Sequence, residues 1–290
     1  MKITKEILDK AVELKNQGKT FKEVQEILNL KSIRGIRQQI KVKNIKIVNN
    51  NELNKGKSSK FKKYYSDSNY FKIIDTYAKA YILGFTYSDG SVYNRERFGY
   101  LISQQDKEIL EFIKNEISPT SIISTTINKK GSKNRKPQSL LRINNVEIVF
   151  DLINIWGVVP NKTIFNKLVF PKINDKLIWE FLKGIFDGDG CINISKKNIV
   201  RIVICMTDLN FLKEVQSFLN KYNLNFSIYE KQGKTCKYYL LSSNNQKSAL
   251  EFLKNIYKSN NFSLTRKKEK YLNYLENTVL NKEIKKSLSV

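Results

Sequence analysis

Two similar stretches, LGFTYSDG at residues 83–90 and LKGIFDGDG at residues 182–190, decide the fold of this chain. Each stretch ends an apolar helical pattern with Asp-Gly, and each has a glycine five residues before that aspartate. The two aspartates, Asp89 and Asp189, are 100 residues apart. One apolar run that ends in Asp-Gly is most often only a turn. Two such endings at this spacing indicate an internal duplication.

The segments around both stretches predict the same order of elements. Helical patterns occupy residues 74–88, 106–116 and 146–156 in the first half, and residues 176–188, 208–219 and 246–257 in the second. Four short strand patterns lie between the helices of each half. Each half therefore reads αββαββα. The predicted fold class is α+β, a pseudo-symmetric duplicated αββαββα fold preceded by a small all-α domain that resembles a helix-turn-helix.

The small domain is assigned to residues 1–48. Its third helix is predicted to turn Ile33, Ile36 and Ile40 inward and to begin after Ser32 as a capping residue. The segment has twelve Lys and Arg against five Asp and Glu, which suits a module that lies on phosphates. The alternative is a helical packing domain with a solvated basic face. The predicted DNA contacts are the outward polar residues Arg34, Arg37, Gln38 and Lys41.

The rest of the chain is assigned to three segments. Residues 49–70 are polar and basic without apolar periodicity, which predicts a linker that either lies along a duplex or is merely a solvated tether. The first half is assigned to residues 71–172 and the second half to residues 173–290.

The charge balance indicates a polyanionic partner. The chain has 52 Lys and Arg against 27 Asp and Glu, a formal net charge of +25 that is spread over its length. The apolar runs are too short to span a bilayer, and the N-terminus does not resemble a signal peptide. The three cysteines lack CxxC spacing, which argues against a zinc site. We expect a soluble intracellular protein of the cytoplasm or nucleoid, or of an organelle matrix if an organelle encodes it.

The absence of histidine restricts the chemistry. The chain has no His, so catalysis must use carboxylates, lysine or activated water. Gly84 and Gly184 remove side chains from the two helices, so that the helices can pack backbone to backbone. Their C-terminal ends then bring Asp89 and Asp189 together. The repulsion of two carboxylates is relieved by a hard divalent cation, and Mg²⁺ is the expected cofactor, with Mn²⁺ as a substitute.

On these two stretches the chain resembles the LAGLIDADG homing endonucleases, in the form in which one chain supplies both halves. The resemblance covers roughly residues 74–277. It implies a site-specific, double-strand DNA endonuclease of the intron-homing type that works as a monomer. It also implies that Asp89 and Asp189 bind metal together with the backbone carbonyls of Ser88 and Gly188, and that the opposite strands are cut to leave short 3′ overhangs.

The resemblance places further residues near the two carboxylates. A basic residue is expected after the last helix of each half, which is Lys162 in the first half and either Arg266 or Lys267 in the second. Gln104 matches a polar residue that positions water, and its counterpart in the second half is taken as Met206. On this assignment the two catalytic sites are unequal, and the two strands are expected to be cut at different rates.

DNA recognition is assigned to the two sheets, which would lie over the major groove with alternate side chains facing the bases. The candidate contacts from the predicted strands and turns are Tyr93, Arg95, Arg97, Arg142, Asn193, Ser195, Lys197, Arg201, Tyr229, Lys231 and Tyr238.

Other functions remain open to the same fold. Members of the resembled fold also serve as transcription regulators that bind DNA without cutting it, or as RNA-splicing maturases, and RNA would be a partner of the latter. The pair Asp89 and Asp189 favours cleavage, because a pure binder gains nothing from carboxylates that face a polyanion. A membrane-surface or structural protein is a third alternative, and it predicts no salt-sensitive affinity for DNA.

Overall fold

The computed structural model describes residues 3–17, 19, 21–42, 45, 64–94, 96–126, 137–233 and 235–287, without the side chains of residues 41, 42, 94 and 279–287. The chain divides into two units, Met1–Lys63 and Tyr64–Val290, each with its own packed interior.

The first unit contains the three predicted helices, α1 (Lys5–Asn16), α2 (Phe21–Ile27) and α3 (Arg34–Val42). Ile36 and Ile40 of α3 are buried as expected, and the hydroxyl of Ser32 accepts a hydrogen bond from the Arg34 amide at 3.3 Å. The exposed side chains of α3 include Arg34, Arg37 and Gln38. The core of this unit is small and consists of Leu8, Ala11, Leu14, Val24, Leu30, Ile36 and Ile40.

The second unit contains both halves. The elements of the first half are α4 (Tyr77–Ser88), β1 (Gly90–Asn94), β2 (Arg97–Ser103), α5 (Lys107–Ile117), β3 (Ile123–Thr126), β4 (Gln138–Asn144), α6 (Val146–Asn154) and the single-turn helix α7 (Lys162–Phe165). Those of the second half are α8 (Asp175–Asp189), β5 (Gly190–Ile194), β6 (Val200–Met206), α9 (Leu209–Lys221), β7 (Ser227–Gln232), β8 (Lys237–Ser243), α10 (Gln246–Tyr257) and α11 (Thr265–Ser287).

The duplicated fold class is confirmed. Both halves follow αββαββα, and the strands form two antiparallel four-stranded sheets with the same order, β1-β2-β4-β3 and β5-β6-β8-β7. The register aligns the halves residue by residue, because Gly90 pairs with Tyr100 and Gly190 pairs with Ile204. Tyr100 and Ile204 are therefore equivalent. Helices α7 and α11 were not predicted, since each lies in a segment for which only a basic residue was assigned.

The two motif helices pack without intervening side chains. A methyl group added at Gly84 would lie 1.9 Å from the carbonyl oxygen of Phe181, and one added at Gly184 would lie 2.0 Å from that of Tyr81. Any side chain larger than hydrogen would push the helices apart. The close packing expected from the two glycines is confirmed, and it places the ends of α4 and α8 side by side.

The predicted linker is shorter than expected at its C-terminal end. Tyr70 is only 3% exposed in the core of the second unit. Ser66 and Ser68 accept hydrogen bonds from the Asn145 side chain at 2.8 and 3.0 Å, and the Tyr65 amide donates to Thr120. These contacts attach the segment to the first half, so composition alone was misleading here. Residues 49–63 of the predicted linker lie outside the described residues.

Candidate active site at the paired helix ends

The two candidate aspartates occupy equivalent positions at the ends of α4 and α8. Asp89 is the C-cap residue of α4, and Asp189 is the last residue of α8. Both side chains are half-buried. A methyl group at Gly188 would lie 2.0 Å from the Ser88 hydroxyl and 2.9 Å from the Asp89 carboxylate. The first motif therefore carries Ser88 without widening the interface, because the second motif has glycine opposite it.

Each half supplies one lysine to a helix end. The Lys162 ammonium donates to the carbonyl oxygens of Ser88 at 2.8 Å and Gly90 at 2.7 Å. The Lys267 ammonium donates to those of Gly188 at 3.2 Å and Gly190 at 2.5 Å, and also to Phe186 at 2.7 Å. A positive charge at a helix C-terminus complements the helix dipole. The two lysines are thus equivalent under the internal symmetry.

Arg266 and Lys267, the two alternatives for the basic residue of the second half, have different partners. Arg266 forms two hydrogen bonds with the Asp106 carboxylate, at 2.7 and 3.0 Å. The preceding residue, Thr265, donates to Glu108 from its amide at 2.9 Å and from its hydroxyl at 2.7 Å. These bonds fix the start of α11 to the start of α5. Lys267 is directed to the second helix end, and Arg266 lies beside Asp89.

Burial shifts the pKa values of the four charged groups. Desolvation, followed by repulsion from Asp89, raises the pKa of Asp189 to about 7. Desolvation also raises the pKa of Asp89, against the attraction of both lysines. Burial lowers the pKa of Lys162, and it lowers that of Lys267 to about 8. Burial therefore disfavours the charged form of all four groups.

The oxygen donors of the site fit a hard divalent cation. Carboxylate and carbonyl oxygens are the ligands that Mg²⁺ and Mn²⁺ prefer. The carbonyls of Ser88 and Gly188, assigned as metal ligands, accept the lysine hydrogen bonds described above. A carbonyl oxygen has two lone pairs, so each of these groups retains one for a second partner. Burial, the largest cause of the raised pKa values of Asp89 and Asp189, disfavours their charged forms, and a bound cation would favour those forms.

A second acidic residue of the second motif was not assigned by sequence reasoning. Asp187 is 1% exposed and accepts hydrogen bonds from Tyr81 at 2.8 Å, Tyr257 at 3.1 Å and the Leu264 amide at 2.7 Å. It therefore anchors the segment that leads to Lys267. The equivalent residue of the first motif, Tyr87, donates its hydroxyl to the carbonyls of two residues that flank α7, Trp156 at 3.0 Å and Val169 at 2.8 Å.

The proposed equivalence of Gln104 and Met206 is wrong. The register makes Met206 the counterpart of Ile102, and the two side chains are similarly buried, at 7% and 6% exposure. From these equivalent residues to the N-cap aspartates of the next helices, Asp106 and Asp208, the first half is two residues longer than the second, so Gln104 has no counterpart. Its side-chain oxygen accepts a hydrogen bond from Ser139 at 2.6 Å. Pairing by order along the chain failed because it could not detect this insertion.

Two equivalent cavities flank the helix ends, and their linings differ. The cavity beside Asp89 is lined by polar and charged residues that include Ser103, Asp106, Gln138 and Arg266. The cavity beside Asp189 contains Lys162 but is otherwise richer in apolar and aromatic side chains, including Tyr87, Leu168, Cys205, Met206 and Tyr238. The expected inequality of the two sites is therefore present, although it arises from residues other than the pair Gln104 and Met206.

Most of the candidate base contacts lie on exposed sheet faces. On the first sheet the Arg142 guanidinium lies 5.3 Å from the centre of the exposed Tyr93 ring, and Arg97 donates to Asn144 at 3.0 Å. On the sheet of the second half and in the turn between β5 and β6, the exposed candidates are Asn193, Ser195, Lys197, Arg201, Tyr229 and Lys231. Tyr238 lines the Asp189 cavity. Arg95 and the side chain of Lys41 lie outside the described residues.

Comparison with known proteins supports the resemblance for the second half. Residues 176–257 match the family model of the LAGLIDADG-like domain. The match contains the stretch LKGIFDGDG and extends to the end of α10. The resemblance read from the two motifs is thereby confirmed, and residues 176–257 are similar to the LAGLIDADG-like domain. The first half repeats the same elements in the same order.

Individual relatives are distant. An uncharacterised protein of Methanocaldococcus jannaschii is 28% identical over 155 residues, which cover 52% of this chain and 56% of the relative. The chain thus spans about half the length of the curated relative that it matches. Among solved structures, the meganuclease I-SmaMI bound to uncleavable DNA is 12% identical with a TM-score of 0.47, covering 71% of this chain and 91% of that chain.

The N-terminal LAGLIDADG domain of DUF199/WhiA is another structural neighbour. It is 16% identical with a TM-score of 0.45, covering 67% of this chain and 89% of that chain. Over the part of the chain that the structure describes, no helix is both long enough and apolar enough to cross a membrane.

Proposed function

We propose that this protein is a Mg²⁺-dependent, site-specific endonuclease of the homing type that cuts both strands of DNA. The proposal rests on two equivalent helix ends, each of which carries a half-buried aspartate and accepts hydrogen bonds from one lysine, Lys162 at the end of α4 and Lys267 at the end of α8. A structural role alone would not require two half-buried carboxylates with raised pKa values to meet at one surface of a strongly basic protein.

The roles of the residues follow from their positions. Asp89 and Asp189 would hold divalent cations, with the remaining lone pairs of the Ser88 and Gly188 carbonyls as further ligands. A bound divalent cation supplies Lewis acidity for attack on a phosphodiester bond. Lys162 and Lys267, fixed on the helix-end carbonyls, would stabilise the negative charge that develops on a phosphorane. Arg266 would contribute to the Asp89 centre from its position on Asp106.

The exposed sheet faces would carry the DNA. Arg97, Leu101 and Ser103 alternate along one face of β2, and Ser103 lines the Asp89 cavity. Arg201, Cys205 and Thr207 run in the same way to the Asp189 cavity. A duplex that lies on these faces would pass both centres. Because one chain supplies both, we propose that the protein acts as a monomer on double-stranded DNA.

Cleavage of a randomised duplex library would test this function. The full-length protein is incubated with the library in Mg²⁺, in Mn²⁺ and in a chelator, and the ends of the products are sequenced. We expect one defined site with short 3′ overhangs in either cation and no cutting in the chelator. Cutting that persists in the chelator, or products without a common sequence, would overturn the proposal.

A non-cleaving DNA-binding regulator is the second candidate, and the N-terminal unit favours it. Exposed Arg34, Arg37 and Gln38 on α3 resemble the contacts of a sequence reader. This alternative predicts that the same library yields tightly bound duplexes that are never cut in Mg²⁺ or Mn²⁺. A maturase would instead retain folded RNA in preference to the duplexes.

A further inference from the structure

Two large apolar side chains protrude at the edge of the Asp189 cavity. Ile164 and Phe165 belong to the single-turn helix α7 and are 60% and 56% exposed. Full burial of one such side chain would stabilise the fold by about 2 kcal/mol, and the exposed pair does not contribute this stabilisation. The pair also stands out on the surface of a chain with a net charge of +25. The side chains that flank them include Lys162 and the exposed Lys167.

The geometry of the turn fixes where this pair lies. Lys162 and Thr163, just before the pair, line the Asp189 cavity. Asn166, just after it, accepts a hydrogen bond from the Thr207 hydroxyl at 3.0 Å, and Thr207 lines the same cavity. Asn161 and Asn166 adopt positive φ angles of 56° and 47°, which reverse the chain on both sides of α7. The tip of the turn is therefore held at the cavity edge.

The other half has no such pair. Because Lys162 and Lys267 are equivalent, Ile164 corresponds to Glu269 and Phe165 to Lys270. Glu269 and Lys270 are exposed, charged residues within the long helix α11. The apolar tip is thus a feature of the Asp189 side alone.

We propose that Phe165, supported by Ile164, is a wedge that inserts between base pairs of the bound duplex, beside the strand cut at the Asp189 centre. The inference rests on the proposed function, since it requires DNA across the cavities. Apolar wedges of this kind partly unstack a base step from the minor groove and bend the duplex. The exposed Lys167 beside the tip would hold a flanking phosphate, while the aromatic ring would contact base faces.

Fluorescence of 2-aminopurine tests the wedge. Duplexes are selected by binding from the randomised library in a chelator, and 2-aminopurine is placed at successive positions of one selected duplex. We expect wild-type protein to increase the fluorescence severalfold at one base step. Phe165→Ala should abolish this increase and weaken binding about tenfold, whereas Ile164→Ala should reduce the increase. Thermal unfolding of both variants should match the wild type, because both side chains are exposed.

Phe150→Ala is the matched control. Phe150 is 62% exposed on α6, a helix that packs on the buried side of the first sheet through Ile148, Val149 and Leu152. The control should retain wild-type fluorescence and affinity. If the selected duplex is bound and cut but Phe165→Ala leaves the fluorescence unchanged, the wedge is refuted and the nuclease proposal stands. If Phe165→Ala instead changes only the sedimentation of the free protein, the tip is a self-association surface and the wedge is refuted. If no duplex is selected, both proposals fail.

Discussion

The two motif helices end alike but are supported differently. Each ends in an aspartate, packs through a glycine and accepts hydrogen bonds from a lysine of its own half. Along their lengths, Ala80 and Leu83 of α4 are apolar, whereas the equivalent residues of α8 are Glu180 and Lys183, a buried ion pair with a separation of 2.6 Å.

That pair extends the support of the second half. The Lys183 ammonium donates to Ser259 at 3.0 Å, and Ser259 in turn donates to Glu180. Together with Asp187, the pair fixes the segment between α10 and α11, which leads to Lys267. In the first half the tyrosine hydroxyl of Tyr87 performs the corresponding task. The two helix ends are therefore alike, whereas the residues that support them differ between the halves.

The largest effect is expected where the halves are most alike. Gly84→Ala and Gly184→Ala each place a methyl group about 2 Å from a backbone oxygen of the other helix, so the helices must separate. We expect each change to lower the free energy of unfolding by about 4 kcal/mol, measured by urea denaturation. Gly35→Ala, whose methyl group would meet only the flexible end of Ile3, should be nearly neutral. Equal losses in all three variants would show that helix contact is not the cause.

The next effect tests where the halves differ. Glu180→Ala or Lys183→Leu alone leaves one buried charge unpaired and should cost about 3 kcal/mol of stability. The double variant recreates the Ala80 and Leu83 pattern of α4 and should recover to within about 1 kcal/mol of wild type. A double-mutant cycle on purified protein measures this coupling. Losses that simply add would mean that the pair is not a coupled unit.

A pH-dependent effect is expected at Asp189. Its pKa is raised from 3.8 to about 7 by folding, so the folded state favours the protonated form. The free energy of unfolding therefore decreases as the pH rises from about 4 to 7. Below about pH 4, Asp189 is protonated in both states and does not destabilise the fold. Asp189→Asn should be more stable than wild type by about 2 kcal/mol at pH 8 without divalent cations, and equal to it near pH 4. Added Mg²⁺ should stabilise wild type, so the difference in free energy of unfolding between wild type and Asp189→Asn at pH 8 should become smaller. A variant that is less stable at pH 8 would contradict the assigned pKa shift.

The smallest effect concerns the two cavities. Because their linings differ, the two strands should be cut at rates that differ severalfold, which corresponds to about 1 kcal/mol in activation free energy. A time course on a supercoiled plasmid that carries the selected site should then show a nicked intermediate. Direct conversion of supercoiled to linear DNA, with no nicked species, would mean that the two centres are kinetically equal.

The sequence predicted those parts of the molecule that repeat. Gly84, Gly184, Asp89 and Asp189 could be read because each is the only kind of residue that suits its position and each occurs twice at a fixed spacing. Lys162 was assigned from the family resemblance, which places a basic residue after the last helix of the first half. Features that exist in one half only, such as Asp187, the pair Glu180 and Lys183, and the insertion at Gln104, gave no repeated signal. Their partners, including Tyr81, Tyr257 and Ser259, are distant in sequence and meet only in the folded chain.

Cleavage of the selected duplex by wild type, Asp89→Asn and Asp189→Asn at equal DNA occupancy tests the central claim most directly. We expect each variant to bind the duplex as tightly as wild type or more tightly, since one negative charge is removed. We also expect each variant to lose double-strand cleavage by at least about a thousandfold in Mg²⁺. If either variant cuts both strands at the wild-type rate, the paired helix ends are not the catalytic centre.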